Sequence, residues 1–397
     1  MSVAGKRIVV GVSGSIAAFK VAGWVSALVK EEAQVSVMMT ESACQFVTPL
    51  TMAALSGEPA QSDMFAEGAG ERISHIRLAQ EADLFLIAPA TAQTIARLAY
   101  GLADDLLSAA VLASRARVLV CPAMNSQMFT HPATQDNIAK LREYGYQVIA
   151  PESGRMACGD EGPGRLPEWD VVREALLGSL VEQDLAGQQV LITAGPTREP
   201  LDPVRFLSNP SSGKMGYQLA RTARRRGAEV VLVSGPVSLD PPPGVRVVQV
   251  QTAQEMYAAV MAEAPAATVI VKAAAVSDFR PEQVFAGKVK KEAAESVLRL
   301  ERTPDILEKL GRMKAEHGWF LVGFAAESGN IKEEGRRKLS RKNLDLIAVN
   351  NILSPNAGFE SETNQLLLLD ANGETELPLV SKEQAANLLW DHISRSA

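Results

Sequence analysis

Arg7-Ile-Val-Val-Gly-Val-Ser-Gly-Ser-Ile16 passes from a β-branched run into a turn of small residues. A helical pattern follows at once, with Ile16, Phe19, Lys20, Gly23, Trp24, Ala27 and Leu28 at three- and four-residue steps. Strand, tight turn and helix in that order open an α/β unit. Such a turn leaves the first helix amides, and the hydroxyls of Ser13 and Ser15, free to meet an anion. The spacing is not G-x-G-x-x-G, so a dinucleotide is not indicated, whereas a mononucleotide phosphate would fit. Many α/β folds begin in the same way, so the turn alone decides the class and not the function.

The pattern recurs along the first half. Val35-Ser-Val-Met-Met39, Leu84-Phe-Leu-Ile-Ala88 and Val118-Leu-Val-Cys121 read as strands, with helical stretches between them. In an open parallel sheet, ligands lie just beyond the carboxyl ends of the strands. Those ends carry Ser13, Ser15, Thr40, Pro89, Thr91, Met124 and Asn125, which suit a flat polar ring and one phosphate. Two of them continue into conspicuous polar clusters, Pro89-Ala-Thr-Ala-Gln-Thr94 and Pro122-Ala-Met-Asn-Ser-Gln-Met-Phe129. His75, in Arg72-Ile-Ser-His-Ile-Arg77, reads either as a half-buried structural residue or as a functional one.

Gly154-Arg-Met-Ala-Cys-Gly-Asp-Glu-Gly-Pro-Gly-Arg-Leu-Pro-Glu168 has neither a helical nor an alternating apolar period. Its glycines and prolines predict a shaped loop rather than a helix or strand. Cys158 lies within it between Ala157 and Gly159, small neighbours that leave a thiol reachable. Arg155 and Arg165 could grip a phosphate or carboxylate. A solvated connector is the competing reading.

A helix is expected from Glu168 to about Gln183, and Asp184-Leu-Ala-Gly-Gln188 reads as a linker. The strand–turn opening then repeats at Val190-Leu-Ile-Thr-Ala194 and Gly195-Pro-Thr-Arg-Glu-Pro-Leu-Asp-Pro203. This restart divides the chain into domains 1–187 and 188–397. Arg205-Phe-Leu-Ser-Asn-Pro-Ser-Ser-Gly-Lys-Met-Gly216 runs into a helix through Arg226. Lys214 after Gly213 tempts a P-loop reading, which fails because Met215 replaces the Ser or Thr and the upstream glycine is missing. A helix N-terminal phosphate site remains open there. Val230–Ser234, Thr268–Lys272, Phe320–Phe324 and Leu344–Val349 are further strands. Lys288-Val-Lys-Lys291 is either a solvated face or a triphosphate contact. Thr303 is expected to cap a helix with Pro304 in its first turn. Lys338-Leu-Ser-Arg-Lys342 closes a basic helix, and the last helix starts near Ser381.

A chain of 397 residues exceeds one ordinary core, and 47% apolar with 22% charged residues is the composition of a soluble globular protein. A net charge of −6 argues against a general nucleic-acid binder. Cys44, Cys121 and Cys158 show no metal-ligand spacing and no disulfide set, so a reducing, cytoplasmic setting is expected. The apolar run near Ile8 is too short for a signal peptide. No stretch approaches the roughly 20 apolar residues that span a bilayer, so no membrane partner is expected.

Taken together, these motifs resemble the bifunctional phosphopantothenoylcysteine decarboxylase/phosphopantothenate–cysteine ligase family of bacterial coenzyme A synthesis, over nearly the whole chain. Pro89–Thr94 is similar to the family's flavin motif, and Pro122–Phe129 to its P-x-M-N-x-x-M-aromatic motif. Gly154–Glu168 is similar to its substrate flap. Thr193–Pro200 with Ser211–Gly216 is similar to its ligase signature. Phe129, Ser277 and Pro210 stand where the family more often has Trp, Ala and a larger polar residue. The resemblance implies two Rossmann-like or flavodoxin-like three-layer α/β domains, each a mainly parallel sheet flanked by helices. It implies FMN bound by Ser13, Gly14, Ser15, Thr40, Pro89, Thr91 and Met124, and substrate held by Asn125, Arg155, Met156, Ala157 and Arg165. It makes His75 catalytic, has Asn125 orient the substrate carboxylate, and makes Cys158 the proton donor. The family oxidises the cysteinyl thiol to a thioaldehyde with FMN, so that the electrons left by CO₂ have an acceptor; the enethiol is then reduced and protonated. A thiol with pKa near about 8.5 is mostly protonated at neutral pH and can donate.

For the second half, the resemblance implies that CTP, with Mg²⁺, activates 4′-phosphopantothenate as an acyl-cytidylate, releasing pyrophosphate. The amine of cysteine then displaces CMP. Lys272, Ala273, Ala274, Asp278, Lys288, Pro304, Asp305, Ile306, Leu307, Phe324, Lys338 and Lys342 would bind CTP. Lys288 would face the α-phosphate, and Asn209 would hold the acyl intermediate. No residues are singled out as Mg²⁺ ligands. Homo-oligomers are implied, trimeric through the first domain and dimeric through the second, assembling as far as a dodecamer. Two readings of other classes compete. A flavin-binding regulatory or scaffold protein is opposed by His75, Asn125, Cys158 and Lys288 occurring together. A doubly wound dehydrogenase is opposed by the missing G-x-G-x-x-G.

Overall fold

The computed structural model describes residues 3–64, 74–156, 159–289, 297–327, 329–351 and 361–396, the side chains of Ser74, His75 and Asn351 apart. The chain forms two compact units, Ser2–Glu182 and Gln183–Ala397. In the first, the apolar runs become strands β1 (Arg7–Val12), β2 (Gln34–Met39), β3 (Leu84–Ala90), β4 (Arg117–Pro122) and β5 (Gln147–Val148). They form one parallel sheet in the order β2-β1-β3-β4-β5. β3 is buried at every position, so its sequence is continuously apolar rather than alternating.

Among the described residues, eight α-helices accompany this sheet: α1 (Ala18–Lys30), α2 (Pro49–Ser56), α3 (Ser74–Glu81), α4 (Ala92–Tyr100), α5 (Leu106–Leu112), α6 (Ser126–Thr130), α7 (Pro132–Glu143) and α8 (Trp169–Ser179). Because side chains alternate along a strand, Ile8, Val10 and Val12 face α1, α2 and α8, while Val9 faces the core of α4, α5 and α7. Thr91 and Asp105 start α4 and α5 by accepting from Thr94 N and Ser108 N.

The Gly154–Glu168 stretch corrects the expectation of a loop. It is built around an antiparallel hairpin of β6 (Glu152–Arg155) and β7 (Glu161–Arg165). Its strands carry no apolar period because glycine, proline and polar or charged residues make them up. Gly162 and Gly164 hold φ of 149° and 142°, backbone that other residues take only with strain. A Cβ on Gly164 would also collide with the Met124 carbonyl oxygen.

The second unit begins with β8 (Gln189–Ala194). A hairpin of β9 (Arg198–Pro200) and β10 (Phe206–Ser208) follows, then α9 (Lys214–Arg225), β11 (Glu229–Ser234), β12 (Arg246–Gln249), α10 (Ala253–Glu263) and β13 (Val269–Lys272). A second hairpin, β14 (Phe279–Pro281) with β15 (Leu300–Arg302), precedes α11 (Ile306–His317), β16 (Phe320–Glu327), α12 (Ile331–Arg341) and β17 (Leu346–Asn351). The chain closes with β18 (Thr363–Asn364), β19 (Leu366–Asp370), β20 (Glu374–Glu376), β21 (Val380–Ser381) and α13 (Lys382–Ser396). The main sheet runs β12-β11-β8-β13-β16-β17-β19-β20, with β19 and β20 antiparallel and the rest parallel. Counted along the unit, the parallel strands read 3-2-1-4-5-6, the doubly wound order. α9 and α13 cover one face, and α10, α11 and α12 the other.

Each sheet has one point where the strand order reverses: between β1 and β3 in the first unit, and between β8 and β13 in the second. Such a switch opens a crevice at the carboxyl ends of its two strands.

Two local expectations change. The cap of α11 is Asp305, whose Oδ1 accepts from Glu308 N at 3.0 Å. Thr303 instead donates its hydroxyl to Ser277 O, which holds the loop before β14. Asp184–Gln188, expected as a linker, is a turn fixed to the second unit. Leu185 is buried, and Arg226 Nε donates to Asp184 Oδ1 at 2.8 Å while its Nη1 donates to Asp391 Oδ1 at 2.7 Å. Arg226 holds the Asp184 carboxyl below the usual carboxylate range despite partial burial. A lowered carboxylate pKa stabilises the fold above the ordinary range, and that contribution is lost as pH falls through the folded value. Arg226→Met leaves two acids facing each other. It should destabilise the second unit by about 2 kcal/mol at neutral pH, discounted for partly exposed partners, and the loss should shrink in acid. Urea unfolding at neutral and acid pH measures both.

Candidate active sites

At the first switch point one side chain stitches β1 to β3. Ser13, 1% exposed, donates its hydroxyl to Pro89 O at 2.6 Å and accepts from Thr91 N at 2.9 Å. The hydroxyl is therefore not free for an anion, which corrects the sequence expectation. Buried strand ends leave a carbonyl and an amide that need partners, and Ser13 serves both. Ser15 Oγ receives only a long contact from Ala17 N, 3.4 Å. The amides of Gly14 and Ile16 have no partner among the described residues, so backbone donors are what this turn offers. Gly14 lies so close to Ser42 that a Cβ there would clash. Thr40 Oγ1 accepts from Ala43 N at 3.2 Å, and Thr91 Oγ1 caps α4.

A cavity of about 350 Å³ brings Ser15, Met124, Asn125, Arg155, Met156 and Arg165 together, with Lys20 and the apolar Ile16 and Phe19. Asn125 caps α6: its Oδ1 accepts from Gln127 N at 2.8 Å, which turns Nδ2 toward Asp160 Oδ2, also at 2.8 Å. Met124 N donates to Gly164 O at 3.0 Å and holds the hairpin against this segment. Ser13, Gly14, Thr40, Pro89 and Thr91 stand at the strand ends and are not among the lining residues. His75 is the second residue of α3; its side chain, and Ala157 and Cys158, lie outside the described residues.

The hairpin makes a direct prediction. Gly164→Ala should strain this contact by about 1–3 kcal/mol and lower roughly tenfold the decarboxylation that the sequence resemblance implies for this unit. Ligase turnover in the same preparation should be unchanged. Equal loss of both activities would mean general unfolding.

Beside the second switch point a cavity of about 400 Å³ opens at the ends of β13, β16 and β17. Asn209, Pro210 and Ser211, the start of α9, Lys272 to Val276, Asp278, Leu307 and Phe324 line it, together with Asn350 and Asn364. Lys214, Lys272, Lys338, Lys342 and Lys382 face a single carboxylate, Asp278, among the lining residues. That imbalance favours a polyanion. Removal from water, reinforced by Lys342, pushes the Lys272 ammonium down to about 8 against the pull of Asp305 and Asp278. Its Nζ donates to Ala274 O at 3.0 Å. Lys342 pairs with Asp305 at 2.8 Å, and Lys338 with Glu327.

Most of the CTP set thus converges. Pro304, Asp305 and Ile306 are not lining residues, though Asp305 reaches the site through Lys342. Asn209 Nδ2 donates to Ala275 O at 3.1 Å. Lys288 is exposed and outside the lining set. The next residue, Val289, is clasped by Asp202 and Arg205. Arg205 and backbone amides hold the Asp202 carboxyl well below the usual range, although burial opposes them. Sequence reasoning missed Lys214, Lys382, Asn350 and Asn364 as cavity residues. Lys214 was not named, although its segment stayed open as a helix N-terminal phosphate site after the P-loop reading failed; the others carry no local motif and are assembled by the fold. Among the described residues, no three His, Cys, Asp or Glu side chains converge as a metal site.

Residues 2–181 match the Flavoprotein family, and residues 185–396 match the DNA/pantothenate metabolism flavoprotein C-terminal domain. The chain is 47% identical over 397 residues to the coenzyme A biosynthesis bifunctional protein CoaBC of Escherichia coli (strain K12), covering 99% of this chain and 98% of that one. This chain belongs to the bifunctional coenzyme A biosynthesis family. It is 46% identical over 382 residues to the protein of the same name from Bacillus subtilis (strain 168), covering 95% and 94% of the two chains. Among solved structures, the C-terminal domain of a CoaBC protein is 42% identical, covers 54% of this chain and 97% of that domain, and has a TM-score of 0.47. The family's flavoprotein domain falls on the first sheet and its C-terminal domain on the second, one switch point in each. Among the described residues, no helix is long and apolar enough to cross a membrane.

Proposed function

We propose that the second unit joins 4′-phosphopantothenate to cysteine using CTP, and that the first decarboxylates the product, 4′-phosphopantothenoylcysteine, to 4′-phosphopantetheine using FMN. The observation that carries the ligase reading is the cavity at the ends of β13, β16 and β17, whose lining residues include five lysines and one carboxylate, Asp278. In this reading the substrate carboxylate attacks the α-phosphorus, the bond to pyrophosphate breaks, and the lysines neutralise the charge that develops. Asn209, its amide already fixed by Ala275, presents a preset carboxamide to the acyl-cytidylate. Cysteine's amine then attacks the acyl carbon, and CMP leaves. Lys288 reaches the α-phosphate from the 282–289 segment. Mg²⁺ arrives with the triphosphate, since one carboxylate plus phosphate oxygens is an ordinary Mg²⁺ donor set.

In the first unit, the turn amides and strand-end backbone at β1 and β3 suit the single phosphate of FMN. FMN, when bound there, supplies the two-electron acceptor for the thiol. Arg155 and Arg165 hold the anionic ends of the substrate. Asn125 Nδ2, now on Asp160, turns its donor to the substrate carboxylate, so Asp160 marks where that carboxylate sits. His75 is the catalytic histidine, and Cys158 gives the last proton. We place the enzyme in the cytoplasm, where the free thiols of Cys44 and Cys121 persist. It assembles as homo-oligomers; exposed Phe46 and Leu50 in the first unit, and Val204, Phe206 and Phe279 in the second, supply apolar surface.

The test is direct. The protein should purify yellow with FMN rather than FAD by mass, and should release CMP only when 4′-phosphopantothenate and cysteine are both present. A colourless protein, or CMP release without cysteine, would overturn the reading.

A further inference from the structure

Lys288 stands on a segment that the rest of the unit holds by little. Residues 282–288 follow β14 and are all exposed, Val284 and Phe285 among them. Apolar burial therefore does not fix the segment. A lysine on a loose tether is a poor partner for a reacting phosphate, because placing the charge in advance is most of its value. The described hydrogen bonds that tie residues 285–289 to the body of the unit all end in the β9–β10 loop, residues 201–205. Phe285 N donates to Leu201 O at 3.0 Å, Val289 N to Asp202 Oδ2 at 3.2 Å, and Arg205 Nη2 to Val289 O at 3.0 Å.

Asp202 is the centre of that loop. It is 3% exposed, a burial that a carboxylate takes only when its lone pairs are filled. Its two oxygens divide the work. Oδ1 accepts from Val204 N at 2.9 Å and from Arg205 N at 2.8 Å, which closes its own turn. Oδ2 accepts from Arg205 Nε at 3.0 Å, from Arg205 Nη2 at 2.6 Å, and from the amide of Val289, 87 residues along the chain. The turn needs only the first oxygen; the second faces one guanidinium and the Lys288 segment. Arg205 completes the ring by donating to Val289 O, so the amide and the carbonyl of Val289 are both taken. Arg205, against the effect of burial, holds the carboxyl well below the usual range, so both oxygens are acceptors at any working pH.

We propose that Asp202 is the positioning residue for Lys288: its Oδ2, with Arg205, pins Val289 and so sets where the adjoining ammonium meets the α-phosphate. The inference rests on the role given to Lys288 above. Gly287 precedes Lys288, and a Cβ there would meet nothing, so the chain on that side restrains little. Position is set from the Val289 side. Asp202 does not line the cavity, so it acts through its neighbour rather than on a substrate. Asp202→Asn separates its two duties. The amide oxygen can stay on the Val204 and Arg205 amides, while the NH₂ group then points at Arg205 and at Val289 N, donor against donor. The turn is kept and the clasp is opened.

Two measurements on the full chain test this. In single turnovers without cysteine, Asp202→Asn should release pyrophosphate about 10²-fold more slowly, the scale of a small misplacement at a reacting centre. The CTP concentration giving half the maximal rate should stay near that of wild type, because the lysines that line the cavity are untouched. Brief trypsin treatment should cut after Lys288 sooner in the variant, read as a fragment ending at that residue, with the rest of the chain as resistant as before. A wild-type rate of pyrophosphate release overturns the proposal, and so does cleavage after Lys288 no faster than in wild type. Weaker CTP dependence in step with the fall in rate, or trypsin sensitivity spread along the chain, also overturns it, since either makes Asp202 a general support of the fold. Lys288→Gln, made alongside, tests the premise separately: normal pyrophosphate release by that variant overturns the role of Lys288 itself, whatever Asp202→Asn does.

Discussion

Cys158→Ser should release CO₂ normally and stop one step later. Oxidation of the substrate thiol removes two hydrogens and needs no acid from the hairpin. Loss of CO₂ then needs only the C=S acceptor. In the proposed reaction the last step would deliver to the enethiol a proton and the hydride that FMN, if bound, would return after taking it in the first step, and a serine hydroxyl is far too weak an acid to give that proton. General acid catalysis is worth about 10²–10⁴ in rate, so the enethiol, two hydrogens short of the final thiol, should accumulate. Substrate should still bind, because Asn125, Arg155 and Arg165 line the cavity independently of the tip. Hydrogen bonds from Met156 N to Asp160 O and from Gly159 N to Met156 O close the described ends of that tip, so the exchange should not displace the hairpin. Product mass after one anaerobic turnover decides the matter. Full conversion to 4′-phosphopantetheine would mean that Cys158 is not the acid.

The hairpin also shows where sequence reading stops. Apolar strands such as Leu84–Ala90 and Glu229–Ser234 were legible because burial on both faces demands continuous Val, Leu and Ile. Gly-rich β6 and β7 were not, because their extended backbone is specified by contact with Met124 and Ser126 rather than by their own residues. Leu366–Asp370 went unread for a different reason: a short run of leucines suits helix and strand alike, and only pairing with β17 makes it β19. Ser13 was read as a ligand-binding hydroxyl, yet the strand ends claim it first. The residues expected to bind CTP were chosen by likeness to family motifs after β13 and on α12, and eight of them, Lys272, Ala273, Ala274, Asp278, Leu307, Phe324, Lys338 and Lys342, line one cavity. Lys382 carried no signal, since nothing in its own neighbourhood announces that β18 and β21 will carry it into a cavity whose other lining residues run from Asn209 to Asn364.

Lys272→Met should lower kcat/KM for CTP by about 10²–10³, the scale of losing one preorganised charge donor at a reacting phosphate. The residue stands on the last position of β13, at the switch point, with its ammonium bonded to Ala274 O. In the free cavity that ammonium is held at about 8, chiefly by removal from water and by Lys342. The sign follows from the charged form. Below pH 8 the lysine is an ammonium and attracts the triphosphate; above it the charge is lost. Wild-type KM for CTP should therefore climb as pH rises through about 8. CTP brings negative charge beside the amine and raises its pKa, so binding near that pH should take up a proton. Lys272→Arg keeps its charge and should flatten the rise, whereas Lys272→Met should be weak at every pH. Calorimetry in two buffers of different ionisation enthalpy reads the proton uptake directly. If wild type and Lys272→Arg share one pH profile, the titrating group is another member of the cluster, and Lys272 acts as a fixed charge.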